Sequence, residues 1–230
     1  MKKAFLMLLI FFILGVGVFF YIAFNGTPWK KASTAKQLEA YVENKYAIDV
    51  SVKEKFFNFK GSNYGATFIL DENPNLSFTA EKITNDTVQD YYPEAVWVQE
   101  ASEDVEPVLN KSFPSFSIRT SSINPVYGMG SEHNVKENVP SYKEVYTAID
   151  LGVHFNEPWT KENEELILKE SFEFISSLQQ SGVKYLGIRL YFQEKEVEDE
   201  KTKTFSISIE GKDLTSIERE EELKKYISIF

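Results

Sequence analysis

The run AFLMLLIFFILGVGVFFYIAF, from Ala4 to Phe24, contains no charged side chain, and it constrains everything that follows it. A helix rises about 1.5 Å per residue, so roughly 20 apolar residues cross the ~30 Å hydrocarbon core of a bilayer. Lipid offers no partner to a backbone N–H or C=O, so a spanning segment of this kind must be helical. Gly15 and Gly17 are ordinary in such helices, and their spacing does not make a GxxxG face. Tyr21 and Trp29 suit the membrane interface at the far end. The rival reading is a cleaved signal peptide, whose apolar core runs only about 7–15 residues before a small-x-small site. Phe24-Asn25-Gly26-Thr27-Pro28 supplies no such site, and the absence of cysteine excludes a lipoprotein anchor. The sequence therefore predicts an uncleaved transmembrane anchor over residues 1–24, with the lipid bilayer as its partner through Ala4–Phe24.

Orientation rests on flanking charge. Lys2 and Lys3 precede the run, and Lys30, Lys31 and Lys36 follow it, so the two sides nearly balance. Three residues are too few for a domain, and long domains translocate largely regardless of charge. The expectation is a single-pass cell-membrane protein with its C-terminal part extracytoplasmic.

All 35 acidic residues follow Lys31, as do 21 of the 25 basic ones (25 less Lys2, Lys3, Lys30 and Lys31), which leaves that part at −14. Such a surface repels nucleic acid, so no nucleic-acid partner is expected. Zero cysteines exclude disulfides, thiolate metal sites and cysteine nucleophiles.

Asn25-Gly26-Thr27-Pro28 breaks the first helix, because proline lacks the donor that would continue it. A second helix is expected over Trp29–Tyr46, with Thr27 as cap and Pro28 at its first position. Leu38, Tyr41, Val42 and Tyr46 give it one apolar face. Alternation at Ile48, Val50 and Val52 then announces a meander, with returning strands at Tyr64–Leu70 and Leu76–Lys82 and turns at 60–63 and 71–75. A helix is expected within Thr87–Asn110, kinked or ended by Pro107. Phe116–Ile123 and Val145–Phe155 read as strands, flanking a long polar loop at Asn124–Ser141. A helix follows at Lys161–Ser181, stopped by Gly182, then strands at Val183–Phe192 and Lys203–Ile209 around a charged loop, Gln193–Lys201. Gly211-Lys212-Asp213 leads to a final helix ending near Ile227. The fold class expected is α+β: a single N-terminal transmembrane helix, residues 1–24, and two small antiparallel-sheet-plus-helix subdomains over 25–113 and 114–230.

Several stretches carry a resemblance. Gly26-Thr27-Pro28-Trp29-Lys30-Lys31, Phe57-Asn58-Phe59-Lys60, Tyr64-Gly65-Ala66, Pro74 before Phe78, and Tyr91-Tyr92-Pro93-Glu94-Ala95-Val96-Trp97 resemble the YfjL-like family of uncharacterised, membrane-anchored proteins in Bacillus and its relatives. The resemblance covers the anchor and first half well and the second half loosely. It implies architecture and location, and it carries no activity. The helix-plus-meander half also looks like PepSY or cystatin-like modules, which bind peptides or peptidases, although topology does not fix function.

Candidate chemistry is thin. Ser33-Thr34-Ala35-Lys36 matches S-x-x-K, but the partner motifs S-D-N and K-T-G are absent. Asp71-Glu72-Asn73-Pro74-Asn75 starts like a calcium loop, yet Leu76 and Lys82 stand where glycine and a bidentate glutamate belong. His133 and His154 form no H-E-x-x-H or H-x-H pattern, and His154 is out of phase with Val153 and Phe155. Gly128-Met129-Gly130 lacks the rest of a phosphate loop. Glu164/Glu165 and Glu220/Glu221/Glu222 read as solvated faces, and Trp97 and Trp159 as core. No catalytic, cofactor-binding or metal residue is therefore assigned, and no cofactor is expected. The favoured reading is a membrane-anchored module that binds an envelope protein or peptide. A cell-envelope hydrolase with an unrecognised site and a cytoplasmic-facing regulator stay open as alternatives.

Overall fold

The computed structural model describes residues 2–84, 86–146, 148–193 and 204–229, and the side chains of all of these except 2–6 and Gln193. Apart from the backbone of Gln193, the expected charged loop Gln193–Lys201 lies outside the described residues. Two compact units emerge, Met1–Tyr92 with Gly130–Asn138, and Pro93–Met129 with Val139–Phe230.

The first unit opens with α1 (Lys2–Asn25), one helix long and apolar enough to cross a membrane. Its large apolar side chains from Met7 to Phe24, Ile22 apart, are exposed, Phe11 at 73 %. Gly26, at φ +67°, ends it in the left-handed region that glycine enters without strain. Thr27 then stands at the N-cap of α2 (Pro28–Tyr46) with Pro28 in the first turn, as the sequence predicts. Four strands follow: β1 (Val50–Asn58), β2 (Asn63–Leu70), β3 (Asn73–Lys82) and β4 (Val88–Asp90). They pair in chain order, all antiparallel. α2 buries Ala35, Leu38, Val42 and Tyr46 against the sheet face that carries Ala66, Phe68, Phe78 and Ala80. Each large apolar side chain so removed from water contributes about 1.5–3 kcal/mol. Two details differ from expectation. The turn before β3 is only Asp71-Glu72, because Leu70 already pairs with Asn73. The short β4 is a strand the sequence reading does not include: residues 88–90 continue the ladder on Ala80–Lys82 ahead of the helix.

The second unit begins with α3 (Tyr92–Ser112), whose first residue belongs to the first unit. Trp97, Ala101, Val105 and Leu109 recur every four residues and are all buried. Pro107 lies inside this helix and is exposed, and the helix runs on past it to Ser112. Next come β5 (Ile118–Pro125), the single turn α4 (Met129–Glu132), which from Gly130 on belongs to the first unit, β6 (Ile149–Pro158), α5 (Glu164–Gln180), β7 (Leu186–Gln193), β8 (Thr204–Ile209) and β9 (Ile227–Ile229). The sheet runs in the order β5-β6-β7-β8-β9. It is mixed rather than antiparallel throughout, since β6 and β7 are parallel. α5 supplies the crossover that two neighbouring parallel strands need. Along β6, Ile149, Leu151, Val153 and Phe155 face the core, as expected. Phe113, Phe116, Phe155, Phe174 and Phe192 meet there, with ring centroids 4.5–6.2 Å apart.

The expected final helix is instead two 3₁₀ segments, Gly211–Ser216 and Glu220–Tyr226, followed by β9. Leu214, Ile217, Leu223 and Tyr226 sit at multiples of three, the repeat of a 3₁₀ helix and not of an α-helix. Gln179 on α5 fixes the first segment by donating to the carbonyls of Leu214 and Ile217, at 2.7 and 3.0 Å.

Candidate functional site

Three of the stretches that carry the family resemblance, Gly26–Lys31, Phe57–Lys60 and Tyr64–Ala66, meet at the joint between α1 and the first sheet. Gly26 is buried against the rings of Phe57 and Tyr64, where a Cβ would lie 2.8 Å from an atom of each ring. The two rings pack together at 4.7 Å across the β1–β2 ladder. Thr27 donates its backbone N–H to the Tyr64 hydroxyl at 3.1 Å, and the Lys30 ammonium stands 4.7 Å from the ring centre. Burial raises the Tyr64 phenol, but the Thr27 hydrogen bond and the charges of Lys30 and Lys31 outweigh it and hold the group below the ordinary tyrosine value. Phe59, in the β1–β2 turn, meets Phe24 of the last α1 turn edge-on at 5.7 Å. The apolar helix is thus clamped to the sheet through aromatic contacts, and not merely tethered by chain.

Beside the joint is a cleft of about 350 Å³. Its polar walls are Lys30, Ser33, Thr34 and Gln37 from α2, Ser62 and Tyr64 from the second strand and the turn before it, and Lys82 and Thr84 from the end of β3 and just beyond it. Lys82 donates to the Gln37 amide oxygen at 3.0 Å. Among the described residues no carboxylate lines it, in a chain with 35 acidic residues, so it presents hydroxyl and ammonium donors to an anion.

On β4, the edge strand of the same sheet, Asp90 is buried and held from two sides. Tyr46 donates its hydroxyl to Oδ1 at 2.6 Å, and Lys45 pairs with Oδ2 at 2.9 Å. This pair locks the C-terminus of α2 to β4.

In the second unit, α3 captures the segment before β6. Glu100 accepts from the Ser141 hydroxyl and, at 3.0 Å, from the Tyr142 N–H. Asp104, one turn on, accepts from the Tyr142 hydroxyl at 3.2 Å and pairs with Lys143 at 2.7 Å. Burial first, and then the neighbouring Asp104 and Glu100 charges, push the Tyr142 phenol far above its ordinary value. The outer face of the second sheet carries His154 stacked on Tyr191 at 4.5 Å and Arg189 paired with Asp150 at 3.3 Å.

The motifs singled out in the sequence are not gathered into a constellation. Ser33 and Lys36 are both exposed, and Ser33 donates to the Lys30 carbonyl at 3.2 Å. Asn73 caps its own turn by accepting from the Asn75 N–H at 3.3 Å, as a plain Asx turn does. His133 is exposed near α4, and His154 faces away from the core of its sheet, as its phase predicts. Gly128 takes φ +90° in a turn rather than a phosphate loop. Glu164 and Glu165 begin α5, and Glu222 accepts the N–H groups of Glu218 and Arg219. Trp97 is wholly buried and donates to the Pro140 carbonyl at 2.8 Å, and Trp159 stacks on Phe205, so both are core. Among the described residues, no three His, Asp or Glu side chains are grouped to hold a metal ion. The cleft was not read from sequence, because its residues are scattered over 55 positions and become neighbours only when β1, β2 and β3 pair.

This geometry defines an α+β protein with an exposed apolar helix seated on the first of two small sheets. Residues 1–91 match the family model described as the YfjL-like, N-terminal domain. The chain is therefore YfjL-like over its N-terminal part, as its motifs led us to expect. A relative is the uncharacterized protein YfjL of Bacillus subtilis (strain 168), 29% identical over 124 residues, which are 50% of this chain and 54% of that protein. The chain thus spans about half the length of the curated relative it matches. A similar solved structure is that of a DUF5037 family protein from Ruminococcus gnavus ATCC 29149, at a TM-score of 0.39 and 12% identity, covering 70% of this chain and 75% of that one.

Proposed function

We propose that the chain is a single-pass membrane protein in which α1 spans the bilayer and the two α+β units stand on the extracytoplasmic side as a non-catalytic module that binds an envelope protein or peptide. The observation that carries the reading is the exposed surface of α1. A contiguous apolar surface of that size is not left in water by a monomeric soluble protein. Binding rather than catalysis is supported by the exposed outer face of the second sheet, where the His154–Tyr191 stack and the Arg189–Asp150 pair offer shape, charge and hydrogen bonds together. The arrangement of α2 over an antiparallel meander supports the comparison with PepSY and cystatin-like modules in the same sense.

A second reading has one observation in its favour. The fold adds Lys60 and Lys82 to Lys30 and Lys31 at the end of the sheet where α1 leaves it, against Lys2 and Lys3 at the other end of the helix. By the positive-inside rule that distribution favours a cytoplasmic-facing regulator. Protease shaving of protoplasts carrying a C-terminally tagged full-length protein decides between the two. Removal of the tag while a cytosolic control survives is the expected result. A tag protected until lysis puts both units in the cytoplasm and ends the envelope reading.

A further inference from the structure

One end of the first sheet is unlike the rest of this acidic chain. Exposed apolar side chains ring it: Phe24 at 56 %, Trp29 at 71 %, Phe59 at 51 % and Ile83 at 40 %. The β1–β2 turn and the end of β3 lie at this end, since Asn58 pairs with Asn63 and Tyr64 with Lys82. α1 leaves the sheet from the same place, through the Phe24–Phe59 contact. Aromatic and lysine side chains in this arrangement suit the headgroup layer of a membrane. Two carboxylates stand near. Glu81 accepts from the amides of Asn58 and Asn63, at 3.4 and 3.3 Å, and Asp86 is exposed.

We propose that the cleft walled by Lys30, Ser33, Ser62, Tyr64, Lys82 and Thr84 binds the phosphate of an anionic glycerophospholipid headgroup in the bilayer that α1 enters. The inference rests on the reading of α1 as a membrane span, and not on which side the two units lie. Two lysines and five hydroxyl side chains, Thr34 among them, line a space of about 350 Å³, the size of a small-ligand site. Lys82 spends one donor on Gln37, which leaves it two. Lys30 stands over the Tyr64 ring, and among the described residues no carboxylate in the lining matches its charge. A zwitterionic headgroup carries its own cation, which the two lysines repel, so the site discriminates by headgroup charge.

The test uses full-length protein in a neutral detergent, titrated separately with dihexanoyl-phosphatidylglycerol, dihexanoyl-phosphatidylcholine and free glycerol 1-phosphate, with binding followed by calorimetry. Phosphatidylglycerol is expected to bind about ten-fold tighter than phosphatidylcholine. The paired substitution Lys30→Gln and Lys82→Gln should remove that preference, and Lys169→Gln, on an exposed site of α5, should leave it intact. Equal affinity for the two lipids, or an unchanged preference in the paired variant, overturns the proposal. Glycerol 1-phosphate binding as tightly as phosphatidylglycerol overturns the lipid as the source of the phosphate. Should the paired variant lose its circular dichroism signal, Thr84→Glu serves instead. It sets a carboxylate at the exposed rim and should weaken phosphatidylglycerol, and no change in affinity sinks the site. Flotation with pure phosphatidylcholine vesicles reports on α1 separately. Failure to float removes the membrane span itself, whereas flotation without a headgroup preference removes only the cleft.

Discussion

Thr27 donates its backbone N–H to the hydroxyl of Tyr64, 37 positions away, at 3.1 Å. That bond caps the start of α2 from the sheet instead of from the Thr27 side chain, which makes no capping hydrogen bond. The break between the two helices is therefore held by tertiary structure, and the direction in which α1 leaves the sheet is fixed with it.

Substitution at Gly26 should loosen this joint. Gly26→Ala places a Cβ 2.8 Å from atoms of both the Phe57 and Tyr64 rings and forces alanine to φ +67°. Overpacking costs about 1–3 kcal/mol, and the left-handed backbone adds about 1 kcal/mol. Thermal unfolding of the full-length protein in detergent should show a clear fall in Tm. Tyr64→Phe, which loses only the hydrogen bond, should cost about 1 kcal/mol. An unchanged Tm for Gly26→Ala would mean that the joint yields freely.

Asp90 is a buried charge of the first unit, and its loss should be severe. Asp90→Ala removes the 2.6 Å hydrogen bond from the Tyr46 hydroxyl and the ion pair with Lys45. Removing one member of a fully buried pair costs about 3–5 kcal/mol, and the partial exposure of Lys45 lowers this to about 2–4 kcal/mol. Chemical denaturation should show a lower midpoint, with hydrogen exchange rising first in β4 and the last turn of α2. A midpoint within error of wild type would remove Asp90 from the stability of this unit.

The alkaline limb of stability should carry a signature of Tyr142. Its folded phenol titrates above the ordinary value, which is 10.0, because burial and the charges of Asp104 and Glu100 oppose ionisation. The unfolded chain releases the proton first, so the contribution is whole below about pH 10 and is lost as pH rises beyond it. Wild type minus Tyr142→Phe should therefore be flat from pH 7 to about 9.5 and fall above that. A difference independent of pH throughout would contradict the assignment.

A charge in the middle of α1 should act on membrane insertion alone. Leu14 is 59 % exposed in the middle of α1. Leu14→Arg should disfavour insertion by roughly 3 kcal/mol. Alkaline carbonate should then extract a much larger fraction of the variant from membranes than of wild type. Equal extraction would argue against α1 as a span.

Much of this architecture was legible in the chain. Ala4–Phe24 reads as a helix because an uncharged run of that length has no other stable state in lipid. Pro28 after Gly26 marks the break, and the alternation from Ile149 to Phe155 marks a strand with one buried face. What misled was local: residues 211–227 hold enough polar, helix-forming side chains to suggest an α-helix. The need to complete the edge of β8 with Phe205–Ile229 pairing instead draws the chain into 3₁₀ turns and an extended end. Pro107 does not end α3, because Val105 and Leu109 on either side of it are buried and hold the helix across it.

The sequence by itself determined the apolar helix, the α+β class, the separate sheets and the lack of a recognisable catalytic motif. These depend on periodicity and composition, which neighbouring residues carry together. Only the tertiary structure decided that β6 and β7 run parallel, that Asp90 is buried against Lys45 and Tyr46, and that Lys30, Tyr64 and Lys82 share one cleft. Those relationships join residues 18 to 52 positions apart through strand register and helix packing, and no local pattern encodes which distant side chains a fold will bring within hydrogen-bonding distance.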